Sequence, residues 1–314
     1  MQLQLKNIGM IKEANVKIDG LTVIAGENDT GKSTVGKALY ALIKEHHNVF
    51  GEEGDGYYLD VYKQIFQEDF SIESNHINLT LDLGGIISFG AFSGIREEVK
   101  NIIFVETPLV WNFSDFFRDI AQIESQMRIE LDYPYLMKDL NFKLHIKNAS
   151  DGIDIKKKMT DLMGGEFKKD DMGRYYFDKQ GQRIEVENVA TGIKYFGIFQ
   201  VLSQNKYLNE DTILILDEPE VHLHPKWQLE MAKIIVELVG KDVKIVVNSH
   251  SPYMIEALEL YAEKENINRN FYLAKKENES STFLDVSDNL EAIYSQLAEA
   301  IETLEEQSLD NFKW

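Results

Sequence analysis

Cysteine is absent from the 314 residues, so neither a disulfide framework nor a thiolate metal site is available. No apolar run reaches the roughly 18 residues that a membrane-crossing helix needs. Basic residues are scarce: 33 Lys and Arg stand against 53 Asp and Glu, a net charge of −20. Such a chain lacks the broad positive footprint of a nucleic-acid binder. Its two basic runs, Lys156-Lys157-Lys158 and Lys168-Lys169, read either as solvated faces or as local contacts. The acidity favours solubility and suits a basic protein partner. The N-terminus opens on the alternation of Leu3 and Leu5 with polar residues, not on a signal-peptide pattern, and a cytoplasmic location is expected.

What is present is ordinary globular material. Hydrophobic residues make up 44% of the chain, enough for one large domain or two small ones. The strongest local pattern is Gly26-Glu27-Asn28-Asp29-Thr30-Gly31-Lys32-Ser33-Thr34, a full match to a phosphate-binding loop. The apolar run Leu21–Ala25 before it reads as a buried strand, and Lys32–Glu45 after it reads as a helix. Gly26 and Gly31 allow dihedrals that turn consecutive N–H groups inward. The helix start adds free N–H groups and a positive dipole end. In this arrangement Lys32 reaches the β- and γ-phosphates of a nucleotide, and the Ser33 hydroxyl is a ligand for Mg²⁺.

A second pattern completes the first. The buried run Thr212–Leu216 ends in Asp217-Glu218-Pro219-Glu220. In a parallel sheet, ligands gather beyond the carboxyl ends of the strands. Asp217 is therefore placed to hold Mg²⁺ through water, and Glu218 to orient or deprotonate an attacking water. Val243–Val247 leads into Asn248-Ser249-His250-Ser251-Pro252. His250 is either a residue of the same site or a plain turn residue. Ser251 and Pro252 form a good helix start.

Strands alternating with helices in the last third predict an α/β fold, a mainly parallel sheet flanked by helices. A small antiparallel N-terminal sheet is expected from residues 3–18. The expected division is a nucleotide-binding core at 1–48 and 187–288, an inserted, mainly helical lobe at 49–186, and a C-terminal helix at 289–314. Within the insertion, 49–75 read as loop, Ile77–Leu83, Ile86–Phe89 and Ile102–Val105 as strands, and 114–163 as helices broken near Pro134. Tyr175–Phe177 and Ile184–Val186 read as a hairpin around Lys179-Gln180-Gly181.

Taken together, these pieces resemble the ATP-binding-cassette class of ATPases, and within it the soluble RecF/OLD-like group. The resemblance rests on Leu5-Lys6-Asn7-Ile8-Gly9, the loop at 26–34, the run Asp217–Pro225 and Ser249–Pro252. It covers 1–45 and 187–260. It implies a P-loop NTPase fold that uses ATP and Mg²⁺ and works as a homodimer or higher oligomer. Carried over by residue, Gly26, Asn28, Gly31, Lys32, Ser33 and Thr34 bind nucleotide. Ser33 and Asp217 serve the metal, Glu218 is the catalytic base, and His250 is a switch residue near the γ-phosphate. The best equivalent of the class's signature motif is Val189–Lys194, with Thr191 and Gly192 meeting ATP across a dimer interface. The alternative is an ordinary helix cap.

The glutamine-loop position falls near Phe104–Pro108, with Glu106 in place of glutamine. His222 and His224 look like a metal pair, but the resemblance explains them as part of a dimer-contact loop, so no zinc is expected. OLD-type nucleases continue into a TOPRIM domain, for which 252–314 is too short. The resemblance thus implies an ATPase acting as a switch on a separate effector protein encoded nearby, as in anti-phage defence. Direct DNA binding in repair or recombination is one rival, and a non-hydrolysing nucleotide scaffold is another. The apolar stripe Leu290, Ile293, Tyr294, Leu297, Ile301 and Leu304 either packs on its own domain or docks that effector.

Overall fold

The computed structural model describes residues 1–50, 60–66, 78–82, 86–88, 99–127 and 134–298. The chain opens with the antiparallel pair β1 (Gln2–Ile8) and β2 (Ile11–Lys17), then β3 (Leu21–Gly26) and α1 (Lys32–Phe50). α2 (Asp60–Phe66) lies where the sequence reads as loop. Three strands follow, β4 (Asn78–Asp82), β5 (Ile86–Ser88) and β6 (Asn101–Val105). After a 3₁₀ turn at Pro108–Phe113 come α3 (Ser114–Met127), α4 (Tyr135–His145) and α5 (Lys156–Met163). A separate three-stranded sheet is formed by β7 (Glu166–Lys169), β8 (Tyr175–Lys179) and β9 (Gln182–Glu185), the last two closing as a hairpin at Gln180-Gly181. The remainder alternates regularly: α6 (Thr191–Gln204), β10 (Thr212–Asp217), α7 (Pro225–Val239), β11 (Lys244–Ser249) and α8 (Pro252–Lys264). It closes with the hairpin β12 (Arg269–Glu277) and β13 (Ser280–Asp285).

Among the described residues the main sheet runs β5-β4-β1-β2-β13-β12-β3-β11-β10-β6. β12, β3, β11, β10 and β6 are mutually parallel. Their carboxyl ends therefore share one edge, which is where the phosphate loop leaves β3. Two findings differ from the sequence reading. The N-terminal strands are a wing of this sheet, separated from β3 by the β12–β13 hairpin. Strands β4, β5 and β6, which fall inside the stretch read as an inserted lobe, belong to the same sheet. Strand patterns show one buried face but not which distant strand will pair, because that choice is non-local.

The sheet is buried on both faces. In β10, Ile213 and Ile215 turn toward α1, while Leu214 and Leu216 turn toward the layer of α6, α7 and α8. All four are fully buried, as the period-two geometry of a strand requires when helices cover both sides. α6 is apolar nearly all round because it lies between the sheet and the small β7–β9 sheet; Gln200 Oε1 there accepts from the Phe167 N–H at 2.7 Å.

The C-terminal stripe resolves in part. Leu290 and Ile293 are buried in the core, and Tyr294 donates to Glu259 Oε2 at 2.7 Å. Leu297 packs against the same core. Over 290–297 the stripe is core; Ile301 and Leu304 lie outside the described residues. Replacing a central core residue is expected to be costly. Leu214→Ala should lower the unfolding free energy by about 2–5 kcal/mol, read from the urea midpoint at unchanged slope.

Candidate functional site

The phosphate loop is shaped by its neighbours as much as by its own sequence. Gly26 has φ +150°, and a Cβ there would lie 2.5 Å from the Ala274 carbonyl oxygen of β12. Gly31 has φ +81°, and its Cβ would meet Ile11 at 2.9 Å. Glycine is thus required for close approach at both positions, not only for dihedral freedom. Asp29 takes φ +58°, and its carboxylate pairs with Lys276 on β12. The Thr30 hydroxyl donates to the Glu27 carbonyl at 2.8 Å. Lys32 is buried; its ammonium donates to the carbonyls of Gly26 at 2.9 Å and Glu27 at 2.6 Å. Burial holds its pKa down, against the opposing pull of Glu218, Asp217 and Glu220.

β11 lies between β3 and β10, so the two halves of the motif meet across it. The Ser33 hydroxyl donates to Asp217 Oδ1 at 2.9 Å, and the Asn248 amide donates to the same oxygen at 2.8 Å. Burial raises the Asp217 pKa, while the hydrogen bonds from Asn248 and Ser33 oppose the rise. Glu218 sits 4.0 Å from Lys32 Nζ. Its backbone takes φ +47°, a left-handed conformation that a non-glycine residue adopts at a cost of about 1–3 kcal/mol. The Glu218 N–H donates to the Asn248 carbonyl at 2.9 Å, which fixes the strained turn.

Two residues that the sequence reading did not assign hold this edge together. One is Asn248, just described. The other is Glu220, 4% exposed, whose Oε1 accepts from the Ser249 hydroxyl (2.7 Å), the His250 N–H (2.8 Å) and the Ser251 N–H (3.1 Å). Glu220 thereby clamps the tip of β11. It places His250 Nδ1 3.4 Å from Glu218 Oε1. Three buried polar atoms here have no hydrogen-bond partner among the described residues: Glu220 Oε2, Asn248 Oδ1 and His250 Nδ1. Buried polar atoms are normally satisfied, so these mark where a polar ligand or water fits.

Ser33, Lys32, Asp217, Glu218 and His250 are thus brought together, with Gly26 and Gly31 framing the loop. Asn28 is exposed at the loop tip and Thr34 half-buried in the first turn of α1. Thr191 and Gly192 stand apart. Ala190, not Thr191, occupies the N-cap of α6, and no side chain caps that end. Thr191 is exposed, while Gly192 packs under the turn after β10, where a Cβ would lie 3.2 Å from both the His222 carbonyl oxygen and the Trp227 ring. His224 caps α7 by accepting from the Lys226 N–H at 3.3 Å. Glu106 follows β6 and pairs with Lys37 of α1 at 3.6 Å.

The comparisons with known proteins agree with this geometry. A family model described as an AAA ATPase domain matches residues 1–87 and 111–255. The chain belongs to that family. Its fold is that of P-loop NTPases of the ATP-binding-cassette and SMC-head type. A solved SMC head bound to the C-winged helix domain of ScpA shares the fold at 13% identity and a TM-score of 0.50, covering 94% of this chain and 98% of that one. CbiO1 of Clostridium perfringens, part of the ABC transporter complex cbiONQ, aligns at 17% identity and a TM-score of 0.40 over 99% and 94%. A short stretch of 52 residues is 35% identical to the Septu protein PtuA of Bacillus thuringiensis, covering 17% of this chain and 13% of that protein. The chain therefore matches only a small part of that relative's length. No helix among the described residues is long and apolar enough to cross a membrane.

The Glu220 clamp is open to a direct test. Glu220→Ala strips a carboxylate from three donors and leaves them buried. It should lower the unfolding free energy by about 1.5–3 kcal/mol in urea titrations. Turnover of ATP should fall with it, because the tip that carries His250 is no longer held.

Proposed function

We propose that this chain is an ATP-driven molecular switch of the RecF/OLD-like group: two copies enclose ATP, hydrolysis parts them, and the change is passed to a separate effector protein. The observation that carries the reading is the Ser33–Asp217 hydrogen bond of 2.9 Å, with Lys32, Glu218 and His250 around it. Lys32 would exchange its two loop carbonyls for phosphate oxygens. The Ser33 hydroxyl and the Asp217 carboxylate are hard oxygen donors already in contact, a set that fits Mg²⁺ directly or through water. Bound Mg²⁺ supplies charge neutralisation on the phosphates. Glu218, fixed in its strained turn, is the group aimed to take a proton from water, and His250 steadies it.

The uncapped start of α6 supports a site completed in trans. Among the described residues no side chain caps this helix start, and the helix dipole adds positive charge there. Thr191 and Gly192 would meet the γ-phosphate held by the partner copy. The short likeness to a Septu protein supports a setting in anti-phage defence, with an effector encoded nearby. The net charge of −20 weighs against DNA as the direct ligand.

Lys32→Ala should lose about 1.5–3 kcal/mol of ATP binding in calorimetry, since a charge-assisted contact is removed. Glu218→Gln keeps the shape but not the basicity. It should bind ATP, fail to hydrolyse it, and move toward dimers on size exclusion when ATP is present; normal turnover would remove Glu218 from the base role.

The trans arrangement has its own test. Mixing Gly192→Glu chains with Lys32→Ala chains leaves one intact composite site per mixed dimer. Activity of the mixture should exceed that of either variant alone. Equal inactivity, with mixed dimers shown to form, would make the α6 start a plain helix end.

A further inference from the structure

Among the described residues thirteen large apolar side chains are exposed, and eight of them lie between Leu109 and Met172. They are not scattered. Phe113 and Phe116 stand edge-on to each other, at 5.9 Å between ring centres, and both contact the buried Phe117. Beside this cluster, α3, α4 and the small β7–β9 sheet enclose a cavity of about 530 Å³. Trp111 and Tyr175 form its aromatic wall, with ring centres 5.1 Å apart at 81°. Phe142, Ile146 and Met172 form its rim and are 54%, 46% and 77% exposed. Contiguous exposed apolar surface of this kind marks an interaction site more often than a solvated face.

The polar groups narrow the choice of occupant. Arg118, Lys138, Lys169 and Arg174 line the cavity beside Asp115, Glu185 and Glu187; Lys138 pairs with Glu124 and Arg174 with Asp115, each at 4.0 Å. Arg118 is neutralised by Asp115 and Asp119. Lys169 is not: its ammonium donates to the His145 carbonyl at 2.8 Å and lies 4.8 Å from the centre of the Tyr175 ring, with no carboxylate partner among the described residues. An uncompensated ammonium at the edge of an aromatic wall favours a carboxylate close to an apolar group. A small molecule held in the cavity would leave the rim in water, whereas a protein segment covers both.

The cavity is also connected to the nucleotide edge. Its Trp111 Nε1 donates to the Lys194 carbonyl at 2.9 Å, and Lys194 Nζ donates to Asn112 Oδ1 at 2.9 Å. Lys194 lies in the first turn of α6, two residues after Gly192. The 3₁₀ turn that carries Trp111 begins two residues after Glu106, which pairs with Lys37 of α1. A segment seated against Trp111 would therefore bear on α6 and on the phosphate-loop helix together.

We propose that this cavity docks a segment of the effector protein, anchored by an aromatic or aliphatic side chain with a carboxylate beside it. The identity of the partner rests on the switch reading above; the chemistry of the pocket does not. Two measurements test it. In the first, the probe is a short peptide carrying Phe-Leu flanked by aspartates, titrated by calorimetry. It should saturate one site, weaken by at least about tenfold in Phe142→Asp and in Lys169→Glu, and fail to bind when lysines replace its aspartates. Equal affinity for the wild type and both variants, or no binding to the wild type, overturns the pocket. Both substitutions are on exposed side chains, and circular dichroism with basal ATP turnover checks that the fold persists.

In the second, the product of the neighbouring gene is co-expressed and the complex isolated. Phe142→Asp should abolish the complex, while Leu260→Asp, on the exposed part of α8, should not. A complex that survives Phe142→Asp overturns the docking site and leaves the switch reading intact. A neighbouring product that fails to bind the wild type removes the effector assignment, and the peptide titration then decides the pocket alone. If the chain by itself forms ATP-independent dimers that Phe142→Asp abolishes, the occupant is a second copy and the proposal is wrong.

Discussion

The contact on which the rest depends is the hydrogen bond between the Ser33 hydroxyl and Asp217. It joins residues 184 positions apart, one in the first turn of α1 beyond β3 and the other at the end of β10, strands that are not neighbours in the sheet. Closure requires β11 between them in parallel register, with Asn248 opposite both Asp217 and Ile24. Asn248 then bridges the gap by donating to the same Asp217 oxygen, while its carbonyl receives the Glu218 N–H. A shift of one residue in either pairing would turn Asn248 to the opposite face and strand a buried carboxylate. The apolar residues of β10 and β11, fully buried against helices on both faces, hold the register. The core is thus what keeps a costly polar cluster in place.

Much of this was legible because local chemistry announces itself. The loop glycines, the lysine, the serine and the paired carboxylates sit at spacings fixed by a strand, a turn and a helix. The start of α7 at Pro225 and the Ser251 cap of α8 also follow from local rules. What escaped was non-local. Arg269–Glu277 carries one short apolar run, Phe271–Ala274, with no turn motif to mark it. Yet β12 is the strand that lies against Gly26 and forces glycine there. The Glu220 clamp escaped for a related reason. A carboxylate after Glu218-Pro219 reads as one more acidic turn residue until folding brings Ser249, His250 and Ser251 to it. Glu106 was found by position, but its partner Lys37 lies on a different element.

Burial and strain coincide at the nucleotide edge. Lys32 and Asp217 are both buried with pKa values moved toward their neutral forms, chiefly by desolvation. Glu218 holds a left-handed backbone, and three polar atoms nearby are unsatisfied. A fold selected for stability alone would relieve these terms. Their coincidence around Glu218 fits a preorganised site, where unfavourable groups are held ready for a ligand that completes them.

The lobe side obeys the opposite logic, and the contrast bears on the proposed switch. At the nucleotide edge polar groups are buried in excess; around Phe113, Phe142 and Met172 apolar groups are exposed in excess. Each region is short of what the other kind of partner supplies. Among the contacts that join them are Glu106 with Lys37, the 3₁₀ turn capped by the Thr107 hydroxyl, and the two hydrogen bonds that fix Trp111 and Asn112 to Lys194. Any motion of α6 that brings Thr191 and Gly192 toward a second nucleotide must either carry Trp111 with it or break a buried hydrogen bond, at about 1–3 kcal/mol. Moving together is the lower-energy course. The wall of the lobe cavity is therefore expected to change shape with the nucleotide state, which is what a switch needs in order to be read from a distance.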